Sequence, residues 1–380
     1  MNSFIIQKVF VKNFKSLADF EISGLSPFTC LIGVNGSGKT TFLQLFSFIR
    51  ALMRGKVKDW LTEQDLSSAN ELLTIGGEKK FTIEIRVDAL LNDTPVYWEG
   101  KFNTRELRCV AETLQDTNAK YTFSSGKFNT VMATGETSSV DFSKIKYEGS
   151  VFSLYASFLG QQLRDLKLFG VLDPHAIASS TRISSKASVC EVEENGKNLC
   201  GFIANLSQEK QQALFQELRV FYPTLKNFEV KKHRFGWKSL LLSELEKTAF
   251  SATNLSYGTL RLYLMLSQQY SENDVVLFDE VENGLNQELF KNFVGKLLNY
   301  GNPRKQIFVT THSGLLLNYL PDDVACNSVY FLYRDKNNHT HATKFFEIPS
   351  LQDKLNVMGP GEAMGDTDLL ALSDQLRNIE

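Results

Sequence analysis

The hydrophobic pattern of the first sixty residues changes its period once. Alternating apolar residues as far as Ile22 predict β-strands, and the continuous apolar run FTCLI that ends at Ile32 predicts a buried strand. Between residues 39 and 53 the apolar positions recur at helical spacing. The residues between Ile32 and this helix are therefore predicted to form a strand-to-helix turn.

Later segments repeat both kinds of pattern. Short β-like stretches predict an antiparallel side sheet over 80–150, and a mainly helical region with a polar stretch at 180–198 follows over 151–222. Strand-like alternation returns at 226–250, and the runs VVLF, QIFVT and SVYFLY predict three more strands within 254–333. The last 46 residues carry little hydrophobic pattern. Heptad repeats are not sustained anywhere in the sequence, so we expect no coiled coil. We divide the chain into a first core segment (1–60), a β-rich lobe (61–150), a helical lobe (151–225), a second core segment (226–335) and a tail (336–380).

Composition narrows the class of protein. The 43% hydrophobic and 22% charged residues are typical of a globular chain, and the net charge of −2 means that any nucleic-acid contact must come from a local basic patch. No apolar run approaches the length of a membrane span, so we expect no membrane contact. The odd number of widely spaced cysteines indicates a reducing, cytoplasmic location; they are Cys30, Cys109, Cys190, Cys200 and Cys326.

The strongest motif is GVNGSGKT, from Gly33 to Thr40, at the predicted strand-to-helix turn. It fits G-x-x-x-x-G-K-[ST], in which glycines let backbone N–H groups and a helix N-terminus face phosphates. In this pattern Lys39 reaches the β- and γ-phosphate oxygens and the Thr40 hydroxyl ligates Mg²⁺.

A second motif, VVLFDE, is an apolar strand that places Asp279 and Glu280 at its carboxyl end. Ligands of open α/β sheets bind at that edge. Asp279 is predicted to hold Mg²⁺, and Glu280 to polarise the water that attacks the γ-phosphate.

Two further motifs lie beside these acids in the sequence. LSYGTLR opens a strongly apolar helix, and a Ser-x-Gly turn at a helix N-terminus, here Ser256 and Gly258, is suited to a second phosphate contact. QIFVTTHS is a strand that ends near His312, and its carboxyl end is predicted to reach the same sheet edge.

In this order the motifs resemble those of ABC ATPases, and the segments NFKSL, GVNGSGKTTF, LSYGTLRLYLML and VTTHSGLLLNYLP resemble stand-alone RecF/SMC-like ATPases. Val281 and Asn286 depart from that family, which often has Pro and His at these positions. The resemblance implies an α/β P-loop ABC-ATPase head with an antiparallel β side sheet and a helical lobe, without a long coiled coil.

The resemblance also implies roles for single residues. Glu280, His312 and Lys39 would be catalytic, Lys15 would lie near the nucleotide, and Ser256 with Gly258 would contact the γ-phosphate held by another copy. A Gln ligand of Mg²⁺ is expected, with Gln115, Gln161 and Gln162 left as alternatives. The residues implied to bind ATP and Mg²⁺ are Gly33, Asn35, Gly36, Ser37, Gly38, Lys39, Thr40, Thr41 and Asp279.

The implied assembly is a homodimer, or a higher homo-oligomer, in which two chains meet head to tail around ATP. Since no transporter, coiled-coil or nuclease module accompanies the motifs, the resemblance implies an ATPase that gates a separate effector, a nuclease or toxin, in prokaryotic anti-phage defence. The alternative is a RecF-like DNA repair or recombination clamp that binds DNA in an ATP-dependent manner.

Three other groups of charged or polar residues are interpreted as solvent-exposed and not as functional sites. KKHRFGWK, Lys231 to Lys238, has the basic and aromatic residues of a nucleic-acid contact, but a solvated hairpin is favoured. His339 and His341 lack a nearby ligand cluster in the sequence and are interpreted as surface residues. GDTD, at 365–368, is interpreted as part of a solvated tail.

Overall fold

The computed structural model describes residues 4–77, 80–170, 172–182, 191–245, 248–301 and 304–379. The strands are β1 (Phe4–Phe14), β2 (Leu17–Ser23), β3 (Phe28–Ile32), β4 (Thr82–Leu91), β5 (Thr94–Asn103), β6 (Arg108–Gln115), β7 (Ala119–Ser124), β8 (Lys127–Met132), β9 (Thr137–Asp141), β10 (Lys167–Phe169), β11 (Thr181–Arg182), β12 (Asn227–Lys232), β13 (Trp237–Leu245), β14 (Thr248–Ser251), β15 (Val275–Phe278), β16 (Gln306–Thr310), β17 (Val329–Arg334) and β18 (Thr340–Lys344). The helices are α1 (Lys39–Arg54), α2 (Val57–Glu63), α3 (Phe158–Arg164), α4 (Pro174–Ala178), α5 (Leu199–Asn205), α6 (Gln208–Phe221), α7 (Tyr257–Ser267), α8 (Gln287–Leu297), α9 (Leu315–Tyr319), α10 (Asp322–Ser328), α11 (Pro349–Leu355), α12 (Pro360–Gly365) and α13 (Leu369–Ile379).

Three sheets organise these elements. The antiparallel sheet has the order β2-β1-β4-β5-β6-β7-β8-β9, and the central sheet has the order β10-β15-β16-β3-β17-β18. In the central sheet the neighbours from β10 to β17 are parallel, and β18 returns antiparallel to β17. A small antiparallel sheet contains β11, β13, β12 and β14. The parallel strands β3, β15 and β16 therefore end at the same edge.

Alternation along the buried strands separates the core into two parts. On β16, Ile307 and Val309 face the core formed with α7 and α8, whereas Phe308 faces the core that contains α1. Phe46 of α1 packs against Phe308, and Phe48 on the same helix packs edge to face against Phe102 of the antiparallel sheet. Helix α1 is thus held between the two large sheets, which fixes the position of its N-terminus.

The predicted segment boundaries differ from the sheets in two places. Strand β1 pairs with β4, so the boundary predicted at residue 60 divides one sheet. The predicted helical lobe also supplies β10, a strand of the central sheet. Within the part of the chain that the structure describes, no helix has the length and apolar character of a membrane span.

The tail predicted over 336–380 is a structured part of the core. Strand β18 pairs with β17, and helices α11, α12 and α13 cover the core with the buried residues Leu351, Met364 and Leu372. The GDTD segment does lie at the surface of this layer, where Asp366 pairs with Lys354.

Of the cysteines, Cys190 and the part of the polar stretch at 183–190 lie outside the described residues. The other four cysteines carry free thiols.

Candidate nucleotide site

The loop from Gly33 to Thr40, here called the phosphate-type loop, follows β3 and leads into α1, as the sequence predicts. Gly33, Gly36 and Gly38 all have positive φ, and a Cβ at Gly38 would collide with the Thr340 side chain. Asn35 and Gly36 are exposed at the lip of the loop. Gly33 and Gly38 are required because only glycine combines this backbone with such close packing, and the first-turn N–H groups of α1 are left facing outward.

Two residues of this region have side-chain positions that the motif alone does not give. Among the described residues the buried Ser37 hydroxyl has no hydrogen-bond partner, and its side chain faces the interior. Thr340, from the predicted tail, donates a hydrogen bond from its hydroxyl to the Ser37 carbonyl at 2.9 Å and so holds the backbone of the loop in place.

Lys39 is the first residue of α1, and its side chain folds back onto the loop that precedes the helix. Its side chain is 6% exposed, and Nζ donates to the carbonyls of Gly33 at 2.8 Å and Val34 at 3.1 Å. Burial lowers the pKa of Lys39, while the carboxylates of Asp279 and Glu280 act in the opposite direction. Within the part of the chain that the structure describes, no carboxylate accepts a hydrogen bond from the ammonium group, so a polyanion at the loop would offer it better acceptors than the two carbonyls.

Asp279 connects the two motifs. Thr40 donates its hydroxyl to Oδ2 of Asp279 at 3.1 Å, and the Thr310 hydroxyl is hydrogen-bonded to Oδ1. Adjacent ligands of an octahedral Mg²⁺ with bonds of 2.0–2.1 Å lie about 2.9 Å apart. The separation of the Thr40 and Asp279 oxygens therefore fits a shared Mg²⁺ site.

Glu280 has a left-handed backbone that is unusual for a residue with a side chain. Its φ is 48°, its N–H donates to the Thr310 hydroxyl at 2.8 Å, and Asn283 donates to its carboxylate at 3.4 Å. Such a backbone costs about 1–2 kcal/mol and persists only where surrounding contacts impose it. The strain turns the chain directly after Asp279, so the two acids do not continue as ordinary strand residues.

Arg261 imposes part of that geometry. The residue is 1% exposed, and its Nη2 donates to the carbonyls of Asp279 at 2.6 Å and Glu280 at 2.8 Å. Its Nη1 donates to the Tyr257 hydroxyl at 3.3 Å. Arg261 therefore joins the helix that begins after Ser256 to the backbone of the two acids. A charged residue inside the apolar run of α7 was the signal that sequence reasoning missed.

His312 follows β16 at the same edge and is exposed. Its backbone N–H donates to Oε1 of Glu282 at 2.8 Å, while Oε2 of Glu282 is buried and has no hydrogen-bond partner among the described residues. Glu282 thus positions the backbone at His312, a role that sequence reasoning did not assign.

Ser256 caps α7 and is exposed. Its hydroxyl oxygen is 2.8 Å from the Thr259 hydroxyl and accepts from the Thr259 N–H at 3.2 Å. Gly258 packs so closely on Gly284 that a Cβ would collide with the Gly284 carbonyl. The described residues contain no hydrogen bond from Ser256 to the phosphate-type loop of the same chain.

Lys15 lies at the side of the loop. Its Nζ donates to Gln44 at 2.6 Å, and burial lowers its pKa against the opposing effect of Glu71. Lys15, Thr41 and His339 line one cavity of about 600 Å³. Lys15 and Thr41 thus face the same cavity beside α1.

Four further candidates have polar partners that do not belong to the loop from Gly33 to Thr40. Gln115 donates to the Asp116 carbonyl at 3.0 Å, and Gln161 donates to Asp165 at 2.7 Å. Oδ2 of Asp335 lies 3.6 Å from Nδ1 of His339 and 3.4 Å from Nε2 of His341. Across the described ranges, no group of three or more His, Cys, Asp or Glu residues is arranged to hold a metal ion.

Comparisons with known proteins identify the family and the fold of the chain. The family described as "AAA ATPase domain" matches residues 5–248, and the family described as "AAA domain, putative AbiEii toxin, Type IV TA system" matches residues 184–318. The chain belongs to the AAA ATPase domain family. No curated protein sequence matches it significantly.

Solved structures show the fold. An Smc head domain with an extended coiled coil, bound to the C-terminal domain of ScpA and derived from Pyrococcus furiosus, aligns with a TM-score of 0.52 and 12% identity over 94% of this chain and 100% of that chain. An SmcHead bound to the C-winged helix domain of ScpA aligns with a TM-score of 0.51 and 14% identity over 89% and 97%. The chain therefore has an SMC-head-like α/β fold with an antiparallel side sheet, and the described ranges contain no helix longer than α1, which confirms the predicted fold class.

Family membership implies nucleotide binding, typically with Mg²⁺. The residues present fit both groups: the loop at the start of α1 is exposed at Asn35 and Gly36, and Thr40 with Asp279 supplies two suitably spaced oxygens.

Proposed function

We propose that the chain binds Mg·ATP at the Gly33–Thr41 loop and hydrolyses it. The observation that carries this proposal is the Thr40–Asp279–Thr310 chain of hydrogen bonds, which links the ends of β15 and β16 to the start of α1. A bound Mg²⁺ would neutralise charge on the phosphates, and these oxygens are placed to hold it.

The proposed hydrolytic roles follow from the same edge. Lys39 exchanges the Gly33 and Val34 carbonyls for phosphate oxygens, and its positive charge stabilises the charge that develops there. Glu280 orients the attacking water, and His312, exposed at the neighbouring strand end, contacts the γ-phosphate.

A direct test is ATP hydrolysis by the full chain with Mg²⁺. Lys39→Ala is expected to abolish nucleotide binding, whereas Glu280→Gln is expected to retain binding and lose turnover. Lys291→Ala is the matched control because it removes the same positive charge at an exposed position on α8. Equal turnover in the Lys39 and Lys291 variants would contradict the assignment.

We further propose that the complete site forms between two copies in head-to-tail arrangement. Support comes from Ser256, whose exposed hydroxyl is bonded within its own helical turn and not to the loop of its own chain. ATP would join the two copies because both would contact the γ-phosphate, and hydrolysis would remove those contacts.

Mixing two inactive variants tests this arrangement. Lys39→Ala destroys the loop and Ser256→Arg destroys the opposing contact, so a mixed dimer would contain one site with both defects and one intact site. Mixing equal amounts is then expected to restore up to about a quarter of the wild-type rate, since about half of the dimers are mixed. If each chain closes its own site, mixing restores nothing.

The biological proposal is that this ATP-dependent assembly gates a separate effector, a nuclease or toxin, in anti-phage defence. Support comes from the family at residues 184–318, whose description names a toxin of toxin–antitoxin systems. The test is to retain partners on the Glu280→Gln chain in its native host, with Lys39→Ala as the control. A nuclease or toxin retained by the first and not by the second supports the proposal, and equal retention by both opposes it.

A further inference from the structure

A basic cleft lies between α6 and β12, away from the nucleotide site. It has a volume of about 530 Å³ and includes four cationic side chains, from Arg219, Lys226, Lys232 and Lys238, with Glu229 as the acidic residue. Among the described residues none of these cations makes an ion pair, and Nε of Arg219 is buried without a hydrogen-bond partner. We call these five residues and their cleft the basic groove.

The basic groove keeps like charges close together. Lys232 and Lys238 are direct cross-strand partners on β12 and β13. Like charges in this position destabilise a sheet, because their side chains lie on one face a few ångströms apart. The chain as a whole has a net charge of −2, so the positive charge is concentrated locally in this groove. An anion bound between the two lysines would relieve their repulsion.

The hairpin that joins β12 to β13 presents two aromatic side chains in the segment between Lys232 and Lys238. Phe235 is 83% exposed at a φ of 59°, and Trp237 is 43% exposed. The backbone is held in place by Arg182, which donates to the Phe235 carbonyl at 3.2 Å, and by His233, which donates to the Trp237 carbonyl at 2.7 Å.

Phe235 departs from two local preferences at once. An exposed phenyl ring forgoes the stabilisation that burial would give, and a left-handed backbone costs about 1–2 kcal/mol in a residue with a Cβ. Phe235 has no aromatic or cation partner within the described chain that would offset these costs. Strained, exposed residues of this kind are typical of binding sites.

We propose that the basic groove and the rings of Phe235 and Trp237 form a binding surface for single-stranded nucleic acid. The four cations contact the phosphates, and the two rings stack on bases. A single strand is favoured over a duplex because duplex bases are already stacked on each other and cannot meet a ring at the surface. None of these residues belongs to the proposed ATP site.

The test is binding of fluorescent oligo(dT) and oligo(U) of about 20 nucleotides, and of a duplex of the same length, to the full chain at about 50 and 200 mM salt. Phe235→Ala is expected to weaken single-strand binding at least about fivefold, and Phe235→Trp to retain it. Lys232→Glu is expected to weaken binding at least about tenfold and to reduce its salt dependence. Lys291→Glu, the same charge change at an exposed position on α8, is the control.

Emission from Trp237 provides a second measurement, since Trp60 and Trp98 are buried. Single strands should quench that emission, and the oligo(dT) and oligo(U) arms show whether DNA or RNA is preferred. The proposal is overturned if single strands do not bind, if a duplex binds equally well without dependence on Phe235, or if Lys232→Glu behaves like Lys291→Glu. Binding retained in Lys39→Ala would show that this surface acts independently of the ATP site.

Discussion

Glu112 offers a sharp test of how the antiparallel sheet is held against the residues that follow it. Glu112 is only 3% exposed. It accepts from the indole N–H of Trp98 at 3.1 Å, from the Val151 N–H at 2.7 Å and from the Ser150 hydroxyl. Burial nevertheless outweighs these three donors and raises the pKa of Glu112 from 4.5 to about 7.

The raised pKa makes stability depend on pH in a defined direction. Between pH 4.5 and about 7 the unfolded chain has released the Glu112 proton while the folded chain retains it, so the folded state becomes less favourable as pH rises. The stabilisation is fully present below pH 4.5 and is lost above about pH 7. A difference of about two and a half pKa units corresponds to about 3 kcal/mol.

Urea unfolding of wild type and Glu112→Gln at several pH values from about 5 to 8 measures this contribution. The amide cannot ionise, so the difference in unfolding free energy between the two proteins should shift by about 2.5 kcal/mol in favour of the variant as pH rises from about 5 to 8. Comparing the two proteins cancels the titration of other groups. Parallel pH profiles, within about 0.5 kcal/mol of each other, would refute a pKa near 7.

Three substitutions test the backbone of the nucleotide site. Arg261→Met should lower the free energy of unfolding by about 2–4 kcal/mol, and should reduce kcat without changing nucleotide affinity; unchanged turnover would contradict its role under the two acids. Gly38→Ala should weaken fluorescent-nucleotide binding and destabilise the chain by about 1 kcal/mol or more, since the new Cβ meets Thr340; normal affinity would oppose that reasoning. Gly258→Ala should displace the Gly284 carbonyl and prevent ATP-dependent association while ATP binding persists, which light scattering and nucleotide titration measure together.

The parts of the fold that the sequence predicts are those encoded by neighbouring residues. The run that ends at Ile32, the helical spacing after Lys39 and the strand before Asp279 each carry their own pattern, and all three elements form as expected. The tail was misjudged because α11 and α12 are short, with seven and six residues, and a helical period needs a longer window to be recognised.

The unpredicted features of the site depend on contacts between distant residues. Arg261 meets the Asp279 carbonyl only because α7 packs beside β15, and Thr340 meets the Ser37 carbonyl only once β18 folds back on β17. No local pattern encodes either contact. Motifs therefore identify the groups proposed to do chemistry, while their support becomes visible only in the folded chain.

The central claim is that ATP joins two copies of this chain through the Gly33–Thr40 loop of one and the Ser256 turn of the other. Light scattering of Glu280→Gln with excess Mg·ATP tests it most directly. We expect twice the monomer mass with ATP, monomer mass with ADP, and monomer mass with ATP when Ser256→Arg is added. A Glu280→Gln chain that binds ATP and remains at monomer mass would contradict the account.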